Sequence, residues 1–219
     1  MSKELLEKVY QEHHLEKKRY GYLFCHGERI PYLQKWIGTG KRILDLGCRD
    51  GMLTSGFAEG NEVVGVDIDQ IALARAQKRL GIETLWLDLN QDWPFPSASF
   101  DVVVACEVME HMFFLDHFLS QIQSVLKPGA LFIGSVPNAF RLRNRLKFLY
   151  GNEFETDPTH VRMFSWAKLE SLLESYFSKP EIVPIRGKVL PGFPVSDRVP
   201  SSIARLFAKD LLWRVRAKE

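Results

Sequence analysis

Asp45-Leu-Gly-Cys-Arg-Asp-Gly51 closes a short apolar run that begins at Arg42, and its reading decides the fold. A glycine directly after a strand lets the backbone turn tightly and approach a ligand, and a helix that follows offers its N-terminal amides. Met52 to Ala58 is expected to be that helix. The spacing differs from the dinucleotide pattern G-x-G-x-x-G, because Arg49 and Met52 stand where that pattern wants glycines. Pyrophosphate binding is therefore disfavoured, and with it a nicotinamide oxidoreductase.

Outward from this loop, apolar runs and helical patterns alternate. Glu62 to Asp67, Glu83 to Asp88, Phe100 to Cys106 and Ala130 to Ser135 read as strands two to five. Gln70 to Leu80 and Leu115 to Leu126 read as the helices between them. Continuous apolar runs mean strands covered on both faces, and strand–helix alternation means parallel pairing. Before the loop, residues 2–19 predict a polar helix packing through Leu5, Leu6, Val9 and Leu15, and about Gly27 to Trp36 a second. After it come a basic helix over 140–150, a polar loop over 151–163 and a helix from Ser165 to Phe177 that Ser165 can cap. Glu181 to Arg186 reads as a sixth strand and Leu211 to Ala217 as a seventh, with Pro191, Pro194 and Pro200 marking a long loop between them.

Two acids narrow the ligand. Asp67 ends the second strand, where a carboxylate can accept from both hydroxyls of a ribose. Asp88 ends the third, where it can take the exocyclic amine of an adenine, with the Leu89 amide beside it. Asp45 can hold the ammonium of an amino-acid moiety. An adenosine and an amino acid joined without phosphates describe S-adenosylmethionine (SAM).

Asp45-x-Gly47-x-x-x-Gly51, Val66-Asp67, Asp88 and Leu126-Lys-Pro-Gly129 together resemble the class I SAM-dependent methyltransferases over about residues 40–187. The resemblance implies a doubly wound, Rossmann-like α/β fold with a mainly parallel seven-stranded sheet, ordered 3-2-1-4-5-7-6 with the last strand antiparallel. It places Asp45, Gly47, Gly51, Asp67, Asp88 and Leu89 at cofactor positions, and Cys48, Ile68 and Cys106 are counted with them. Arg49 departs from the usual small residue. Ser135-Val-Pro-Asn138, the basic segment and His160 are similar in layout to the MetW-like branch, which keeps a catalytically silent SAM-binding partner of a biosynthetic enzyme open. The histidines are the discriminator, since a pure binding module has no use for them.

The chemistry is expected at Glu107-Val-Met-Glu110-His111. On a helix, Glu107, Glu110 and His111 share one face. With His160 they could hold a divalent metal, as in small-RNA 2′-O-methyltransferases and ubiquinone-pathway O-methyltransferases, to which this set is similar. Without a metal, His111 or His160 could act as general base. In-line methyl transfer to a small-molecule nucleophile, oxygen foremost, is the expected reaction; nitrogen stays open.

Composition sets the outer bounds. A chain of 219 residues with 46% apolar content supports one domain with a substantial core. Residues 1–38 are read as a helical cap, 40–136 as the cofactor half and 137–219 as the acceptor half. No run approaches the roughly 20 apolar residues of a membrane span. The three cysteines are too few and scattered for a disulfide framework, and a cytoplasmic protein with reduced thiols is expected. Residues 1–136 carry a net charge of −4 and residues 137–219 one of +6. Arg141, Arg143, Arg145 and Lys147 could meet nucleic acid or a membrane surface, but the preferred expectation is a helix that caps the site and turns its charges to water.

Overall fold

The computed structural model describes residues 2–22, 26–155, 157–185, 187–190, 193–194 and 200–218. Phe24, Cys25, Arg186 and Pro191 lie outside the described residues. Five strands form where the apolar runs predict them: β1 Arg42–Leu46, β2 Glu62–Asp67, β3 Glu83–Trp86, β4 Phe100–Cys106 and β5 Leu126–Pro137. The helices are α1 Lys3–Glu16, α2 His26–Ile37, α3 Gln70–Leu80, α4 Leu115–Val125, α5 Leu142–Leu149 and α6 Trp166–Tyr176. Then come β6 Glu181–Ile185, a small hairpin of β7 Lys188–Leu190 and β8 Phe193–Pro194, α7 Ser201–Phe207 and β9 Asp210–Arg216.

The main sheet has seven strands in the order β3-β2-β1-β4-β5-β9-β6. Strands β1 to β5 pair in parallel, and β9 is antiparallel to both neighbours. This is the expected class I methyltransferase topology, with β9 as the seventh strand of that sheet. Val102 to Ala105 are at most 1% exposed, because helices cover both faces. One face packs against Phe118, Leu119 and Leu169 of α4 and α6, the other against Leu33, Trp36 and Ala76 of α2 and α3. Gly134 lets β9 approach: a Cβ there would stand 2.6 Å from the Ala105 carbonyl and would collide with the Trp213 ring.

Several expectations are corrected. The stretch from Met52 to Ala58 is not a helix; it holds only a 3-10 turn over Thr54–Gly56. Its side chains compete with helical bonding, since Thr54 Oγ1 donates to Asp45 and Ser55 Oγ to the Met52 carbonyl. No helix starts at Glu107 either; Met109–His111 is a single 3-10 turn and Glu107 has φ +59°. Glu107 therefore shares no helical face with Glu110 and His111. Strand β3 ends at Trp86, two residues short of Asp88, and α7 and the small hairpin occupy part of what reads as loop. No helix among the described residues is long and apolar enough to cross a membrane.

Candidate active site

A cavity of about 610 Å³ opens at the C-terminal edge of the parallel strands, where such sheets place their ligands. Gly47, Cys48, Asp67, Ile68, Asp88, Leu89 and Cys106 line it. Asp45 and Gly51 are not among the residues that line it. Asp45 lies behind the wall, accepting from Thr54 Oγ1 at 2.6 Å, and burial pushes its carboxyl up to about 7. Gly51 is needed for packing: at φ +74°, a Cβ would come within 3.2 Å of Ala76 in α3.

The acids of this end are held from below. Asp67 accepts from the backbone amides of Arg49 at 2.8 Å and Asp69 at 2.9 Å, one on each oxygen. Burial raises its pKa against those bonds. Asp88 accepts from the Asn90 amide and side chain, both on Oδ1. Among the described residues nothing accepts from the Leu89 amide. One carboxylate with two aimed oxygens, a second with an unused oxygen, and an unused amide beside it are the groups that a ribose and an adenine edge require. The donor set fits an adenosine.

Helix α1 roofs this end with the face that its leucines do not mark. Leu5, Val9 and Leu15 are 40–59% exposed, while Leu6, His13 and His14 are buried and Tyr10 lines the cavity. His14 Nδ1 lies 2.8 Å from Asp69 Oδ2, and the Tyr20 hydroxyl donates to the same oxygen. Burial works against the charge of Asp69, but these bonds and that of the Ala72 amide hold its carboxyl below the usual range. Arg49, at φ +51°, reaches the Tyr22 carbonyl and Asp50, tying the cofactor loop to the segment after α1. Arg19 pairs with Asp157 at 2.9 Å and so ties the same segment to the loop before α6.

That loop carries the chemical end. The rings of His111 and His160 stand edge to face with centroids 4.8 Å apart. Ligand atoms of Glu110, His111 and His160 lie within 4.8 Å of one another. The fourth expected member, Glu107, is engaged elsewhere: its Oε1 accepts from Ser135 Oγ at 2.7 Å and from Arg29 Nη2 at 3.1 Å. Arg29 also pairs with Asp210 at 3.2 Å. Burial opposes its charge, yet Glu107, Cys106 and Asp210 raise its pKa above the ordinary value. Glu110 is 1% exposed and neither carboxyl oxygen has a hydrogen-bond partner among the described residues. Burial first, then Glu107, push its pKa well up. His111 Nδ1 lies 3.0 Å from the Thr159 carbonyl. A carbonyl only accepts, so Nδ1 carries the proton and Nε2 keeps its lone pair. Burial pushes this imidazole down to about 4. His160 Nδ1 lies 3.1 Å from Glu155.

Tyr10, His14, Arg19, Arg29, Lys209 and Asp210 also line the cavity and were not foreseen. Tyr10 and His14, four apart on a helix predicted to pack by leucines, carry the one available signal: the helix's polar aromatics share a face. Of the basic segment, Arg141 and Asn144 line the cavity, whereas Arg143 and Arg145 are exposed.

Comparison with known proteins agrees with this architecture. A family model described as a methyltransferase domain matches residues 13–176, and the chain belongs to that family. The chain is 32% identical over 138 residues to a probable S-adenosylmethionine-dependent methyltransferase of Mycolicibacterium smegmatis, covering 63% of this chain and 51% of that one. It is 34% identical over 151 residues to the mitochondrial ubiquinone biosynthesis O-methyltransferase of Mus musculus, covering 62% and 40%. The chain thus spans about half the length, or less, of these relatives. A SAM-dependent methyltransferase structure from Archaeoglobus fulgidus superposes with a TM-score of 0.62 at 22% identity, covering 85% of this chain and 92% of that one. The N-methyltransferase NodS from Bradyrhizobium japonicum, solved with S-adenosyl-L-homocysteine, superposes with a TM-score of 0.58 at 18% identity, covering 87% and 85%. At these identities the superpositions show the fold.

Proposed function

We propose that the chain is a SAM-dependent methyltransferase acting on the oxygen of a small-molecule acceptor. One observation carries the reading: a single cavity joins an adenosine-binding set, Asp67, Asp88 and Leu89, to an imidazole with an unengaged Nε2. Asp67 takes the ribose hydroxyls, Asp88 and the Leu89 amide take the adenine edge, and Gly47 and Cys48 border the remainder. When bound, SAM supplies a sulfonium methyl as the electrophile. Held by Asp67, Asp88 and the Leu89 amide, the cofactor would give up that methyl to the acceptor oxygen. The hydroxyl proton passes to Nε2 of His111, whose Nδ1 is already fixed on Thr159. The roof of α1 excludes water from the transfer.

A second reading is favoured by Glu110, whose buried carboxyl has no hydrogen-bond partner among the described residues and lies within 4.8 Å of ring nitrogens of His111 and His160. Glu110, His111 and His160 would hold a divalent cation, which would lower the pKa of an acceptor hydroxyl. Calorimetry with SAM followed by an acceptor screen with methyl-labelled SAM tests the main reading. SAM binding with transfer to hydroxyl compounds is expected; SAM binding with no transfer would favour the silent partner, and NAD binding without SAM binding would overturn both. A chelator that abolishes transfer and leaves SAM binding intact would identify the metal reading.

A further inference from the structure

Helix α5 is built inside out. Its buried residue is a polar one, Asn144, whose side chain donates to the Ala139 carbonyl at 2.9 Å. Leu142, Leu146 and Leu149 recur at the spacing of one helical side, yet all three are exposed. Phe148, Leu149 and Tyr150 are 71%, 77% and 76% exposed. Three consecutive large apolar side chains at that exposure are not the scattered surface hydrophobics of an ordinary fold.

The charge around them has one sign. No Asp or Glu occurs between Asp116 and Glu153, while Arg141, Arg143, Arg145 and Lys147 fall within α5 and its first flank. Among the described residues no ion pair ties Arg143, Arg145 or Lys147 to a carboxylate; Arg145 Nε donates to the Phe140 carbonyl instead. A second copy of this face would bring like charges together. Nucleic acid would meet the cations and could stack on an aromatic ring, but it offers leucines nothing. An anionic bilayer meets both: phosphates for the cations, and an apolar boundary for Phe148, Leu149 and Tyr150.

We infer that α5 docks the chain on an anionic membrane surface, with Phe148, Leu149 and Tyr150 at the headgroup boundary and the cations on lipid phosphates. Because Arg141 and Asn144 of the same segment line the cavity, docking brings the cavity's acceptor side to the bilayer. The docking stands apart from the methyl-transfer reading and is tested without it.

The test is co-sedimentation of the full chain with vesicles of phosphatidylcholine alone or mixed with phosphatidylglycerol, at low and high salt. Retention by the mixed vesicles is expected, with little by phosphatidylcholine and a decline at high salt. Hydrogen exchange should slow across residues 140–150 when mixed vesicles are added to the unmodified chain. The double substitution Phe148→Ser, Leu149→Ser should cut vesicle partitioning about tenfold or more, with an unchanged circular dichroism spectrum. No retention by the mixed vesicles would overturn the inference, as would retention untouched by the double substitution. It also fails if the protection over 140–150 arises with RNA or on self-association and not with vesicles. Should the double variant misfold, hydrogen exchange on the unmodified chain decides.

Discussion

The two ends of the cavity treat their polar atoms in opposite ways. At the cofactor end, Asp67 is held by two backbone amides, Asp88 by Asn90, and Asp69 by His14, Tyr20 and the first amides of α3. At the chemical end, among the described residues, neither Glu110 oxygen is bonded and His111 is hydrogen-bonded through Nδ1 alone. Even as a neutral acid, a buried carboxyl without partners costs the fold about 1–3 kcal/mol. Satisfied groups fix geometry, whereas unsatisfied ones wait for a ligand or a proton. The bordering helices follow the same division: α1 is bonded inward through its polar aromatics, and α5 turns its apolar side out.

The comparison breaks most easily at His111. His111→Ala should lower the rate of methyl transfer by roughly 10²–10⁴-fold, the usual span for a lost general base, and leave SAM affinity unchanged. Single-turnover rates beside calorimetry check this. An equal loss in SAM affinity would merge the two ends into one.

Asp45 sharpens the contrast from behind the wall, since it is a buried acid with a single side-chain bond. Its folded-state pKa stands at about 7 against an ordinary value of 3.8. Between these values the folded chain holds a proton that the unfolded chain has released, so stability falls as pH rises from about 4 to about 7 and stays lowered above. The cost reaches at most about 4 kcal/mol. Asp45→Asn should flatten this slope in denaturant titrations across that window; the same slope in the variant would place the proton elsewhere.

The smallest effect belongs to the cofactor end. Asp67→Ala should weaken SAM by about 1–3 kcal/mol, the cost of leaving buried hydroxyls unpaired, with transfer at saturating SAM little changed. A variant that binds SAM normally would show that the two amides beneath Asp67 serve the loop alone.

The sheet was largely legible because continuous apolar runs report burial directly, and β4 and α3 fall on their expected residues. Asp67 reads from the sequence as a strand-end acid and does end β2 at the cavity, whereas Asp88 reaches the cavity from two residues beyond β3. The turns were not legible. A helix over Met52 to Ala58 satisfies periodicity, but Thr54 and Ser55 spend their hydroxyls on long-range and local bonds that no periodicity reveals. Glu107 reads as a ligand from its spacing to Glu110 and His111; the guanidinium that claims it, Arg29, comes from α2, 78 residues earlier. In α1 the apolar pattern misleads in part: Leu6 is buried as expected, whereas Leu5, Val9 and Leu15 face out and His13 and His14 face in.

The position of β9 has a consequence in time. β6 lies at the sheet's edge and pairs only with β9, and β9 alone joins it to β5. During synthesis β6 is made about 25 residues before its partner, an interval of roughly one to five seconds at ordinary translation rates. Through that interval β5 and β6 present open strand edges, and the hydrophobic core on one face lacks Trp213. Pairing of β9 with β5 and β6 is therefore what joins β6 to the sheet.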